Sequence, residues 1–426
     1  PVPTTTSGAA TSGDRRLSLF VVLFLLSIIV PLFFYAGPVR LSLYRLLLLV
    51  SFVPALMFLL SGKAGRIVWS DICVLVICVW STVSLVVHHG VGPVVEPVGT
   101  LVLETMGAYL LGRCYIRSPQ DLRAAVQILF FVCLLLAPFA VIEAVTDRNI
   151  PLEIARKLGP SVGEVIMDQR FGLNRVQGPF EHPILFGVLF GGSVGMMYFI
   201  LGYGRPWIGR FGRMVFVGAV GALALSTGPL MALMTQIYFL IWNTALQTVK
   251  ARWKILTALA ILGYIVVDII SNRTPFHVLV TYMSFSTGSA YNRILIWQFG
   301  TDNIWANPVF GLGLNDWERP RWMSSSVDMF WIVGAMKHGI VVWVAYLTMF
   351  GYVFLSIARR KNLSEKMEVY RLGYLASMFG FFMAGWTVHF WNSLFVVFMF
   401  LVGAGLWMRD YQEEDATAEA AVSEQK

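Results

Sequence analysis

The chain has 426 residues, 57% hydrophobic and only 13% charged, with 32 Lys and Arg against 24 Asp and Glu for a formal net charge of +8. Soluble domains carry roughly 25% charge, and mean hydropathy here is +0.70. These values exclude an ordinary soluble enzyme; apolar runs of about 20 residues, each able to cross ~30 Å of hydrocarbon, predict an all-α polytopic membrane protein. The runs are continuous rather than alternating, which excludes a spanning β-barrel.

In chain order, residues 1–16 form a polar tail ending in Asp14-Arg15-Arg16. The run 17–36 is too long for a cleavable signal and reads as a retained first helix. Further helices are predicted near 41–61, 68–88, 94–112, 122–145, 183–203, 212–228, 229–249, 253–271, 329–357, 370–388 and 391–408, making about 12 spans within a transmembrane domain 17–408. The run 94–112 carries Glu96 and Glu104; Glu104 reads as a structural partner for an arginine such as Arg45. The run 329–357 exceeds one crossing and is expected to tilt, bend or start outside the bilayer. The acidic tail 409–426 reads as a solvated end. Cys73, Cys78, Cys114 and Cys133 lie in or beside apolar runs, so no structural disulfide is expected.

Alternate connections are compact and rich in Lys and Arg, which places them and both termini on the cytoplasmic side. The net charge is thus mostly a topology signal, and no basic, aromatic-interleaved soluble domain exists to bind nucleic acid. Two long connections, 146–182 and 272–328, fall on the outer side yet hold cations. The first has Arg148, Arg156, Lys157, Arg170 and Arg175; the second has Arg273, Arg293, Arg319 and Arg321. Cations gathered in two outer loops suggest an anion to hold.

Residues 173–187, LNRVQGPFEHPILFG, end the first of these loops. Pro183 suits a first helical turn, so the positive end of that helix faces outward beside Arg175. The pair makes an anion pocket, or else an interfacial arginine bound to lipid phosphate. In SAYNRILIWQFGTDNIWANPVFGLGLNDW, 289–317, Arg293 precedes an apolar and aromatic piece predicted as a short interfacial helix. Asn307-Pro308 breaks it, and Gly311 and Gly313 permit a tight turn, giving a loop packed back on the membrane surface. In SSSVDMFWIVGAMKHGI, 324–340, Asp328 stands at the mouth of the next helix as a site residue or its N-cap. Lys337 and His338 follow about 13–15 Å further along, His338 being a site candidate or a helix-packing polar group. HExxH, paired CxxC, Gly-x-Ser-x-Gly and P-loop patterns are absent.

NRVQGPFEHPILFG, SAYNRILIWQ with NPVFGLGLNDW, and VDMFWIVGAMKHGI resemble, in order, spacing and sidedness, the O-antigen ligase and Wzy-type polysaccharide polymerase superfamily. The resemblance covers about 160 residues closely. It implies an inverting GT-C-type membrane glycosyltransferase of the bacterial inner membrane, working at the periplasmic face, with 146–182 and 272–328 as periplasmic loops. The implied donor is a glycan on undecaprenyl diphosphate and the partner an acceptor glycan, with membrane lipid and other envelope polysaccharide assembly proteins around them. No metal, cofactor or nucleotide sugar is implied. Arg175 and Arg293 match the arginines taken to hold the diphosphate, and Arg170, Arg319 and Arg321 are further cations for it. Asp328 stands first as the group that takes the acceptor proton, with Glu181, His182 and His338 as the other candidates. Ligases commonly carry histidine where this chain has Asp328-Met329, and the Asp-x-Phe-Trp pattern is closer to the polymerases. A polysaccharide polymerase is therefore favoured over a ligase. A lipid-linked oligosaccharide flippase and a non-catalytic scaffold are the alternatives from other classes; a flippase would depend on mid-membrane charges such as Glu104 rather than on Arg293.

Overall fold

A computed structural model describes residues 17–37, 39–272, 274–282 and 287–412. Arg273, the first 16 residues and most of the acidic tail, named above, lie outside the described residues. The chain is an all-α membrane-type protein with, among the described residues, one two-stranded hairpin. Among the described residues, seven helical stretches are long and apolar enough to cross a membrane: Leu43–Leu60, Trp69–His89, Val91–Tyr115, Pro119–Thr146, Arg252–Ile270, Ile340–Ala358 and Asn392–Asp410.

The first predicted span is corrected. Helix α1 is only Leu19–Ser27, and strands β1 (Phe33–Ala36) and β2 (Val39–Ser42) pair antiparallel after it. Pro31 cannot continue a helical ladder, and Gly37 takes a positive φ of 62° to turn the hairpin. Helices α2 (Leu43–Leu60) and α3 (Trp69–His89) follow. The next run is α4 (Val91–Val102), a π turn (Leu103–Gly107) and α5 (Ala108–Tyr115). The π turn carries Glu104, which pairs with Arg45 of α2 at 2.8 Å. Helix α6 (Pro119–Thr146) starts on Ser118, whose side chain accepts from the Asp121 amide, with proline in the first turn.

The short α7 is Ile150–Leu158. The predicted span 183–203 divides into α8 (Pro183–Gly192) and α9 (Val194–Phe199); α10 (Trp207–Ala222), α11 (Thr227–Ala245) and α12 (Arg252–Ile270) come next. Helix α13 (Pro275–Tyr282) leads to α14 (Thr287–Ala306), which at 20 residues is longer than the short interfacial piece expected. The run 329–357 breaks into α15 (Phe330–His338) and α16 (Ile340–Ala358) at Gly339, φ 88°. A side chain there would strike the Val309 carbonyl. Helices α17 (Glu365–Ala384), α18 (Asn392–Ala404) and α19 (Trp407–Asp410) complete the fold.

The core centres on α18, whose residues are nearly all buried. It meets α5 with backbones in contact: a side chain on Gly112 would collide with the Phe400 carbonyl, and one on Gly403 with that of Tyr109. Small residues that admit such approach are how apolar helices associate where no hydrophobic drive distinguishes protein from lipid. All four cysteines are free and buried. Helix α12 buries none of its residues.

Candidate active site

The loop after α7 carries the sequence motif, and one carboxylate holds it. Glu143, on the last turn of α6 and 5% exposed, accepts from the backbone amides of Gln177 (2.8 Å) and Gly178 (3.0 Å) and from Asn149 Nδ2 (3.1 Å). Asn149 also caps α7 and donates to the Gly178 carbonyl. Gly178 turns at φ 58°, which glycine adopts at no steric cost. On its other side the loop follows the α10–α11 turn: the Val176 amide donates to Leu223 O, Arg175 Nε to Ala224 O (3.3 Å), and an Arg170 nitrogen to Leu225 O (2.7 Å). Two arginines thereby lie side by side on a fixed backbone.

Glu181 and His182 part company. Glu181 accepts from Ser393 Oγ at 3.3 Å and lines a small cavity with Arg45, Tyr44 and Asn392. Burial, and less strongly Glu104, push its carboxyl above the usual range. His182 caps α8, its Nδ1 accepting from the Ile184 amide at 3.1 Å. Burial first, then the charge of Arg175, hold its pKa down at about 4, against the opposing pull of Asp328. With Nδ1 accepting, the proton of the neutral ring sits on Nε2. His182 is therefore a neutral N–H donor and a poor base.

The third strand of the site comes from the other end of the chain. Arg293, 5% exposed on α14, donates Nε to the Thr387 carbonyl (3.1 Å) and a terminal nitrogen to Ser289 Oγ (2.8 Å). The Thr387 segment, between α17 and α18, also receives the start of α15, where the Phe330 amide donates to Val388 O at 3.0 Å. It abuts Gly228 at the α11 N-terminus, where any side chain would collide with Val388. Asp328 stands just before α15. It is not the N-cap, a position taken by Met329 without a side-chain bond; it accepts from Ser326 Oγ at 2.7 Å instead.

The charges of these residues act on one another: Arg175 with Arg170, Arg293 with Arg170, Arg293 with Asp328, and His182 with both Arg175 and Asp328. Burial, then the repulsion of Arg170, lower the Arg175 guanidinium to about 10. Burial also lowers Arg293, against the pull of Asp328. Among the described residues neither Arg170 nor Arg175 has a carboxylate ion-pair partner. Three guanidiniums beside one carboxylate and a neutral imidazole leave a formal excess of two positive charges. Such a cluster favours a bound anion, and guanidiniums match phosphate oxygens in forked geometry.

The remaining predicted residues lie in other settings. His338 ends α15 with Nδ1 3.4 Å from Ser84 Oγ on α3, a packing contact, and shares none of the charge pairings above. Arg319 is held within its own loop by Asp316 (2.6 Å) and the Met323 carbonyl. Arg321 is exposed on that loop. The loop itself does not simply lie back on a surface. The amides of Leu312 and Gly313 donate to Met336 O and Lys337 O, and the Ile340 amide donates to Pro308 O. The Gly311-x-Gly313 turn thus occupies the break between α15 and α16. The supports are not marked in the sequence: Glu143 ends an apolar run outside any motif, Thr387 acts through its backbone, and Trp391, whose ring lies 5.9 Å from that of His182, leaves no local signal.

No protein-family profile matches the chain, and no curated protein matches it.

Proposed function

We propose that the protein is an inverting glycosyltransferase that takes a glycan from a polyprenyl diphosphate at the periplasmic face of the inner membrane, most simply as a surface-polysaccharide polymerase. The observation that carries this reading is the convergence of Arg170, Arg175 and Arg293 with Asp328 and His182. A sugar–diphosphate–prenyl diester carries two ionised phosphates, which balance the formal excess of two charges. The motif resemblance supports the same assignment, and the Asp328-x-Phe330-Trp331 pattern favours polymerase over ligase.

In the reaction an acceptor hydroxyl oxygen attacks the donor's anomeric carbon. The bond from that carbon to the diphosphate oxygen breaks with its electron pair, and the hydroxyl proton passes to Asp328. Negative charge grows on the departing oxygen, where prepositioned guanidiniums and the His182 Nε2–H stabilise it without reorganisation. The test is the lipid-linked glycan pool of cells, read by mass spectrometry. Arg293→Ala removes a donor worth about 3–4 kcal/mol in the barrier, so single repeat units accumulate while the protein is still made. Long chains left on the lipid, with unmodified lipid A-core, indicate a ligase instead; near-normal polymer from a well-expressed variant refutes the site.

A further inference from the structure

Beside the cation cluster lies a second cavity, of about 460 Å³, within the ~300–1,000 Å³ range of small-molecule sites. Asn315, Asp316, Ser325, Ser326, Lys337 and His389 bring polar groups to it, and apolar side chains, Trp391 among them, make up the rest of the lining. Two residues connect it to the proposed reaction centre. Trp391 stacks on His389 (5.8 Å, 23°) and meets the His182 ring edge-on (5.9 Å, 61°). Ser326, on the rim, is the residue that donates to Asp328.

The lining selects among ligands. A prenyl chain would take the Asn315 amide and the Lys337 ammonium out of water, which costs free energy for each. A diphosphate would meet one cation, Lys337, beside the Asp316 carboxylate. A metal would find one carboxylate, already held by Arg319. A sugar presents apolar C–H faces to an indole and hydroxyls to amide, carboxylate and imidazole groups. The His389 imidazole also lines the cavity, and a hydroxyl, which both donates and accepts, suits either ring tautomer.

We infer that this cavity is the saccharide subsite for the acceptor: the terminal pyranose sits against Trp391 with its hydroxyls on Asn315, Lys337 and His389, and its attacking hydroxyl reaches Asp328 past Ser326. The assignment rests on the glycosyl-transfer reading and adds where the second substrate binds. Asp328 is shared between the two halves, with Ser326 from the cavity and Arg293 from the cations, as a displacement needs when hydroxyl and diphosphate meet one carbon.

The test uses the full-length protein in nanodiscs and two probes. One is the free oligosaccharide released by mild acid from the lipid-linked pool of the same cells; the other is farnesyl diphosphate. Binding of each is read by titration calorimetry and saturation-transfer NMR. Asn315→Ala and Lys337→Met should each weaken the oligosaccharide about tenfold or more while leaving farnesyl diphosphate unchanged. Arg175→Ala should do the reverse. Oligosaccharide that does not bind, or binds equally well to wild type and both cavity variants, overturns the subsite and leaves the transfer reaction standing. Farnesyl diphosphate bound equally by wild type and Arg175→Ala overturns the reaction assignment itself. Unchanged thermal melting of the cavity variants separates lost contacts from lost fold.

Discussion

Removing the Glu143 carboxylate should release the motif loop while leaving the helices in place. Glu143→Ala strands three donors in a site that is 5% exposed: the Gln177 and Gly178 amides and Asn149 Nδ2. Each unmet buried donor costs about 1–3 kcal/mol, so at least ~3 kcal/mol of local stability is lost. Glu143→Gln is milder. Oε1, which takes the Gln177 and Asn149 bonds, is kept, and only the Gly178 amide faces an NH2 group, a loss of about 1–3 kcal/mol. Native-state hydrogen exchange of peptides spanning 174–180 reads this directly: ~3 kcal/mol of easier opening speeds exchange about 100-fold. Because Arg175 rides on this loop, a shift of ~1 Å should also lower turnover by about 100-fold. Exchange at Gln177 and Gly178 that is no faster in Glu143→Ala than in wild type refutes the clamp, and with it the account of how Arg175 is held.

Other outcomes follow from charge and burial. His182 has a folded pKa of about 4, below its ordinary 6.5, so between these values the unfolded chain binds the extra proton and stability falls as pH drops. His182→Asn keeps an N-cap acceptor but does not titrate, so its melting temperature should fall less across that window; parallel curves for the two proteins contradict the assignment. Glu104→Ala should cost about 3–5 kcal/mol by leaving Arg45 charged and unpaired between helices. The pair Glu104→Gln with Arg45→Met should recover most of it in detergent melts, and a double variant no more stable than Glu104→Ala argues against pairing as the cause.

The class of protein was legible from the chain because hydropathy is a one-dimensional property: a run of some 20 apolar residues needs no neighbour to declare itself. The helix start at Pro183 was similarly local, because proline suits a first helical turn. The Arg45–Glu104 pair could be anticipated because a buried charge requires an opposite partner. The limits of a local reading show at 17–36. Its second half is still mostly apolar, yet Pro31 and the following Gly37 turn it into a hairpin.

What tertiary structure alone decided is the choice among residues of the same chemistry. Of the arginines named for the site, Arg170, Arg175 and Arg293 share a field while Arg319 is held by Asp316 three residues away. Glu181 and His182 are neighbours in sequence but take different partners, because the cap of α8 fixes the imidazole while Ser393 binds the carboxylate. Arg293 meets the Thr387 carbonyl across 94 residues, and the Gly311-x-Gly313 turn finds the gap at Gly339. Residue types reveal which groups are able to bind an anion. Which of them come together is set by long-range backbone bonds and burial, and these depend on distances through space that no spacing along the chain encodes.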